Sequence, residues 1–148
     1  MEIEKALNLL GTIKGVELAQ HTYHLEVMGD YSDHLLLGEI YDSMDELYDS
    51  LAERFVCLYG KSSINQMKVL EEMSDAMRTL SENNADDTMI RACNASNFLL
   101  ETYRDYFNFL EENWSKDIIG LANMVQDQID MLEGQYYKLL ARCCQLKD

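Results

Sequence analysis

Proline is absent from the 148 residues of this chain, and glycine occurs only seven times. Because proline is the strongest helix breaker, nothing in the sequence prevents long, uninterrupted helices. No apolar run approaches the roughly 20 residues that a membrane span needs. The start, Met-Glu-Ile-Glu-Lys, lacks the basic residues and apolar stretch of a secretory signal. We therefore expect a cytoplasmic protein without a membrane segment, folded as a single domain over residues 1–148.

Cysteine is also scarce, with Cys57, Cys93 and the adjacent pair Cys143-Cys144 as the full set. Their spacing matches no zinc ribbon, and their density is too low for a disulfide scaffold. We expect Cys57 and Cys93 to be buried core thiols. For the pair at the C-terminus, metal coordination and oxidation between subunits are minor alternatives.

Positive charge is the third scarcity, because 12 Lys and Arg residues stand against 27 Asp and Glu, for a net charge of −15. Binding of duplex DNA depends on cations placed against phosphates, so direct DNA binding is not expected. The acidity itself has three interpretations: a solvated surface, an inner surface that attracts ferrous ions into a shell, or an acidic rod that mimics DNA. Charge alone does not choose among them.

Apolar periodicity predicts four long helices at about 2–28, 33–59, 87–114 and 117–146, and a shorter helix at about 63–80. The links within the first and last pairs of long helices are short, whereas the middle pair is joined by a long crossover that contains the short helix. This order predicts an all-α fold, a ferritin-like four-helix bundle with a short helix in the crossover between helices two and three.

The predicted apolar stripes repeat every three or four residues, as helix packing in a bundle requires. Gly60 is the predicted C-cap of the second helix, and Asp117 is a possible N-cap of the last one. The stripes comprise Ala6, Leu10, Ile13, Val16, Tyr23 and Val27; Leu37, Ile40, Met44, Leu47, Leu51, Phe55 and Leu58; Ile64, Met67, Leu70, Met77 and Leu80; Cys93, Leu100, Tyr103, Phe107, Leu110 and Trp114; and Ile118, Ala122, Val125, Ile129, Leu132, Tyr136, Leu139 and Cys143.

Two histidines, His24 and His34, flank a Gly-Asp turn, and Asp49 and Glu53 follow at a spacing of four residues. The two acids share one helix face, and imidazole with carboxylate suits iron, zinc or manganese. His34 and Asp49 lie 15 residues apart on one predicted helix, roughly 22 Å, which no single ion bridges. If all four residues form one site, two helices must run antiparallel, so that His34 of one chain meets Asp49 and Glu53 of the other. The motif thus implies a metal site and a two-fold dimer together.

These residues resemble the Dps family of mini-ferritins in the pattern His-x-x-Val-x-Gly, a second His, and Asp-x-x-x-Glu within DSLAERFVCLYG. In that family the two histidines come from one subunit and the Asp and Glu from its two-fold mate. The resemblance implies that His24, His34, Asp49 and Glu53 are the metal ligands and catalytic residues. It also implies iron (Fe2+/Fe3+) as the bound metal, a ferroxidase activity, and ferric storage in a dodecameric shell that protects against oxidative damage.

The resemblance extends over residues 5–142, and SKDIIGLANMVQDQIDMLEGQYYKLL looks like the last helix of the family. Some features depart from the family pattern. The loop from Gly29 to His34 is about two residues shorter, Leu25 stands where an aromatic residue is usual, and the Lys-rich N-terminal arm is missing. His21, one turn before His24, is an alternative or additional ligand.

Other functions remain open on the sequence alone. The Glu-x-x-His motif of larger ferritins is absent, because Leu18, His21 and Tyr31 occupy the positions three residues before the histidines. The second interpretation is a ferritin-like helical shell or protein-binding module with weak or vestigial metal binding. An acidic inhibitor that mimics DNA is the third.

Overall fold

The computed structural model describes residues 2–143, and every regular element among them is helical. The helices are α1 (Glu2–Glu26), α2 (Tyr31–Tyr59), α3 (Gln66–Ser81), α4 (Thr88–Glu112) and α5 (Ile119–Arg142), with a 3-10 turn at Lys116–Ile118 before α5. α1, α2, α4 and α5 form the four-helix bundle, and α3 lies in the crossover between α2 and α4. The predicted all-α four-helix bundle, with a short helix in the crossover between the second and third long helices, is therefore confirmed.

Capping residues determine where several helices begin and end. The side chain of Asp30 accepts hydrogen bonds from the backbone N–H groups of Ser32 and Asp33, so α2 begins at Tyr31 rather than at 33. α1 correspondingly ends at Glu26, before Gly29, whose φ of +81° suits the turn. Gly60 follows α2 with a φ of +105°, which confirms it as the C-cap.

The start of α5 differs from the prediction. Asp117 lies inside the 3-10 turn, where it caps nothing, and Ile118 precedes the helix as its N-cap residue. The turn allows the chain to reverse after Trp114 without the predicted Asp cap. The predicted end of this helix at 146 lies outside the described residues.

One hydrophobic cluster fills the centre of the bundle with side chains from every long helix. Most predicted stripe positions are buried in it. Eight other stripe positions are only partly buried against the cluster. Three are exposed: Trp114 beyond the end of α4, and Met67 and Leu70 on the outer side of α3. Cys93 is buried as expected, whereas Cys57 is exposed, so its prediction as a core thiol was wrong.

α3 packs on α1 through glycine rather than through a stripe of large side chains. A Cβ atom built on Gly11 would clash with Cβ of Glu72 and would lie 2.8 Å from the backbone nitrogen of Met73. On Gly15 it would lie 2.9 Å from Cβ of Ala76. The two glycines, four residues apart on α1, thus let the backbones approach closely. Val69 and Ala76 are buried at this contact.

A pair of Gly→Ala variants tests this contact. Gly11→Ala should lower the free energy of unfolding by about 2–3 kcal/mol, because the added methyl meets backbone atoms that cannot turn away. Gly134→Ala should raise it by about 0.5–1 kcal/mol, because Gly134 is exposed within α5 and nothing lies within 4 Å of its Cβ position. Urea denaturation at one protein concentration measures both. Equal effects of the two substitutions would contradict the close approach.

Candidate metal centre

His24 lies in the last turn of α1 and His34 in the first turn of α2, so the short connection brings them together. Their rings are stacked, with centroids 3.7 Å apart and an interplanar angle of 23°. Nδ1 of His24 lies 2.7 Å from the carbonyl oxygen of His34, and Nδ1 of His34 lies 3.0 Å from the carbonyl oxygen of His24. The His24 carbonyl belongs to the last turn of α1, where helical partners are missing, so the bond also caps that helix.

These two hydrogen bonds fix the tautomer of both rings. A carbonyl oxygen only accepts, so each Nδ1 must carry the proton and donate it. In the neutral imidazole the lone pair then resides on Nε2, and within residues 2–143 neither Nε2 forms a hydrogen bond. An Nδ1–H held by a backbone carbonyl is the usual support of a metal-binding histidine. Both Nε2 atoms are therefore left with a lone pair and without a hydrogen-bond partner among the described residues.

His21 and Tyr41 extend this histidine cluster. Their rings stack at 4.3 Å between centroids, while the His21 ring lies 6.3 Å from that of His24. The Tyr41 ring is 5.2 Å from His24. His21 thus adjoins the stacked pair and remains an additional candidate ligand. The sequence had not placed a tyrosine here, although Tyr41 lies seven residues after His34, on nearly the same face of α2.

Gly38 provides the space for the His24 ring. A Cβ atom on Gly38 would lie 3.1 Å from Cε1 and 3.3 Å from Nδ1 of His24. Contacts this short are tighter than normal van der Waals packing, so a side chain here would press on the ring. The spacing of four residues from His34 to Gly38 was a signal that sequence reasoning missed, since residues at this spacing share a helix face.

Arg142 holds the end of α5 against the start of α2. Its Nε donates to Oδ1 of Asp33 at 2.5 Å, and its Nη2 donates to Oδ2 of Asp30 at 2.5 Å. Hydrogen bonds from Ser32, then from the backbone of Asp33 and from Arg142, lower the pKa of Asp30 to about 2. Asp30 therefore stays ionised down to strongly acidic pH, and it keeps capping the helix that carries His34.

Asp49 and Glu53 lie on one face of α2, and both side chains are exposed. Within the described part of the chain neither forms a hydrogen bond or an ion pair, including with Arg54 or Lys61, the cations nearest in sequence. Both carboxylates are thus uncommitted. They follow His34 by 15 and 19 residues on the same continuous helix. Asp49 therefore lies roughly 22 Å from His34 along α2, as its spacing in the sequence predicts.

A single chain accordingly does not assemble the four predicted residues. Among residues 2–143, no three His, Cys, Asp or Glu side chains are grouped so that they could hold a metal ion. The structure brings His24 and His34 together with His21 beside them, and it leaves Asp49 and Glu53 as a separate pair. This division is the one that an inter-chain site requires.

The interior of the bundle offers no alternative carboxylate site in the described chain. The buried polar residues are Thr12, Gln20, Asp33, Ser96 and Gln128. Gln20 donates to the carbonyl oxygen of Ala92 and to Ser96, and Gln128 accepts from the Tyr103 hydroxyl. Asp33 is bound by Arg142 at the bundle end. These groups are neutral or paired, so the interior lacks the several carboxylates that a dinuclear site within one bundle needs.

Comparison with known proteins supports the fold. The chain is similar to the crystal structure of the DPS protein from Vibrio cholerae O1, described as a member of a broad superfamily of ferritin-like diiron-carboxylate proteins. The similarity has a TM-score of 0.75 and 21% sequence identity, and it covers 96% of this chain and 88% of that protein. No protein-family model and no curated protein sequence matches the chain. None of the described helices is long and apolar enough to cross a membrane.

Proposed function

We propose that this chain is a Dps-like mini-ferritin that oxidises Fe(II) at sites shared between two subunits and stores ferric iron in a hollow oligomer. One observation carries the proposal. His34, at the start of α2, is joined there by His24 from the end of α1, and neither Nε2 forms a hydrogen bond among the described residues. The uncommitted pair Asp49 and Glu53 lies further along the same α2 helix. An antiparallel pairing of two such helices would bring the histidines of each chain to the carboxylates of the other.

The residues suit the proposed substrate. Neutral imidazole nitrogen binds Fe(II) well, and carboxylate oxygen favours the Fe(III) product, so a mixed set fits a change between the two states. Two Fe(II) ions supply two electrons, and one hydrogen peroxide with two protons takes them to give two waters. The oxidant would thus be consumed without releasing hydroxyl radicals. Oxygen is the alternative oxidant.

Exposed apolar side chains near the histidines support a subunit contact at this end of the chain. Met28 is 86% exposed and Tyr31 is 74% exposed, and both lie in or next to the turn between α1 and α2. Leu25 on α1 and Leu35 on α2 are also exposed. Apolar groups collected at one place on a surface commonly mark a protein contact. A dodecameric shell would be built from such dimers. Because its surface would be acidic, the shell would not bind DNA directly. It would protect DNA indirectly, by removing Fe(II) and the oxidant.

The second candidate is a helical shell or protein-binding module with weak or vestigial metal binding. The stacked histidines favour it in one respect, because their reciprocal hydrogen bonds also close the turn between α1 and α2 without any metal. In that case the imidazoles would be structural, and the exposed apolar residues would serve assembly alone.

Anaerobic titration with Fe(II), followed by hydrogen peroxide, distinguishes the two functions. We expect saturable Fe(II) binding with two equivalent ligand sets per dimer, and ferric absorbance on addition of peroxide. Calorimetry measures the first and stopped-flow absorbance the second. An intact oligomer that neither binds Fe(II) saturably nor accelerates its oxidation would favour the structural module.

A further inference from the structure

Two thiols meet where the end of α5 packs on α4. Cys93 lies on α4 and is only 2% exposed, while Cys143 follows α5 as its C-cap residue and is partly exposed. Cys143 packs against the hydrophobic core, and its side chain is within hydrogen-bonding contact of Cys93.

The register of α4 and α5 accounts for this contact. The two helices run antiparallel, and Nη2 of Arg104 on α4 donates a hydrogen bond to Oε2 of Glu133 on α5 at 3.1 Å. Cys93 precedes Arg104 by 11 residues, and Cys143 follows Glu133 by 10 residues. At 1.5 Å per residue, both steps cover nearly the same distance in the same direction. The antiparallel register of α4 and α5 therefore places the two cysteines at the same height along the helix axes.

We propose that Cys93 and Cys143 form a reversible intrachain disulfide when the protein meets hydrogen peroxide. The more accessible Cys143 sulfur attacks the peroxide, so that Cys143 becomes a sulfenic acid and one water leaves. The Cys93 sulfur then attacks the Cys143 sulfur, the S–S bond forms, and a second water leaves. The two thiols lose two electrons and two protons, which reduce one peroxide to two waters.

The surroundings of Cys93 set the order of these steps. Burial, together with the neighbouring Cys143, raises the pKa of the Cys93 thiol to about 11. At neutral pH Cys93 is therefore protonated and a poor first nucleophile. It acts as the resolving thiol, once Cys143 has been oxidised beside it.

The disulfide would also stabilise the histidine end of the bundle. Arg142, the residue before Cys143, bonds Asp30 and Asp33 at the start of α2, next to His34. Tying Cys143 to α4 would hold Arg142 in that position. This consequence for iron rests on the proposed function, whereas formation of the disulfide does not.

The test uses the reduced full-length protein without iron, so its outcome is independent of the ferroxidase hypothesis. After hydrogen peroxide, free thiols are blocked with N-ethylmaleimide and tryptic peptides are mapped by non-reducing mass spectrometry. We expect the loss of two thiols per chain, a link between peptides 92–104 and 143–147, and reversal by dithiothreitol. The midpoint of thermal unfolding should rise by about 5–10 °C in the oxidised protein.

Single variants identify the second cysteine, because Cys143 and Cys144 share one tryptic peptide. Cys143→Ser should abolish the link, and it changes a partly exposed position, so folding should be retained. Cys144→Ser and Cys57→Ser should preserve the link. A link that survives Cys143→Ser, disappears in Cys144→Ser, or joins only different chains on a non-reducing gel would overturn the proposal.

Discussion

Replacing Asp49 with Asn and Glu53 with Gln together should lower the rate of Fe(II) oxidation by at least about 100-fold. Loss of a single supporting group around a metal commonly costs 10–100-fold, and here both carboxylate ligands lose their charge. The amides keep the size of the side chains, and both positions are exposed and unpaired. Stability should therefore change by no more than about 0.5 kcal/mol per substitution. Stopped-flow absorbance after peroxide addition to the Fe(II)-loaded protein measures the rate.

A matched variant separates the loss of ligands from the loss of charge. Glu101→Gln with Asp105→Asn removes two exposed carboxylates at the same spacing, but on α4, where Glu101 also accepts a hydrogen bond from Arg104. Its oxidation rate should stay within about twofold of the wild type, since exposed charges act only weakly over distances beyond the Debye length of about 10 Å. Circular dichroism and size-exclusion chromatography check folding and assembly. Equal rates in the two double variants would remove Asp49 and Glu53 from the proposed site.

Sequence periodicity predicted the bundle because its helices follow simple local rules. Without proline, each helix continues until a residue such as Gly60, whose φ of +105° suits a helix end, stops it. The errors lie at the boundaries. Asp30 was taken as part of the turn that ends the first helix, yet an Asp immediately before a helix commonly accepts from the first backbone N–H groups, as it does here. The start of α2 was readable from that rule.

The buried face of α3 was harder to predict, because the most apolar residues of this helix do not all lie on it. Met67 and Leu70 are more apolar than Ala76, yet they are exposed and Ala76 is buried. α3 approaches the backbone of α1 at Gly11 and Gly15, where the absence of a side chain on α1 lets Glu72 and Ala76 come close. A periodicity read on one helix alone does not contain the shape of its partner. The spacing of the two glycines was the only available signal.

In the candidate site, too, contacts between residues close in sequence could be predicted, whereas contacts between distant residues could not. The contact between His24 and His34 follows from the short turn between α1 and α2, although the sequence pattern had indicated the two histidines only as joint ligands. The reciprocal Nδ1 hydrogen bonds could not be predicted, because they depend on how α1 and α2 cross. Arg142 was also missed, since it reaches Asp33 over 109 residues of sequence. The pairing of two chains remains a prediction.

Mixed dimers should restore activity from two inactive proteins if the site is shared between chains. His34→Ala alone and Asp49→Asn/Glu53→Gln alone should each be inactive. In a heterodimer of the two, one site combines intact histidines with intact carboxylates, and the other site carries both defects. The purified heterodimer should therefore regain about half of the wild-type oxidation rate, measured by stopped flow after co-refolding of differently tagged chains.

Two control dimers determine whether the recovery arises between chains. A heterodimer of His34→Ala with His24→Ala damages the histidines of both sites and should stay inactive. The sharper control places His34→Ala, Asp49→Asn and Glu53→Gln in one chain and pairs it with the wild type. A shared site then loses its histidines in one copy and its carboxylates in the other, so activity should fall as in the homodimeric variants. A site within one chain would instead leave the wild-type partner fully competent, and half of the rate would remain. That result, or no recovery in the first mixture despite proven heterodimers, would refute the antiparallel pairing of two α2 helices.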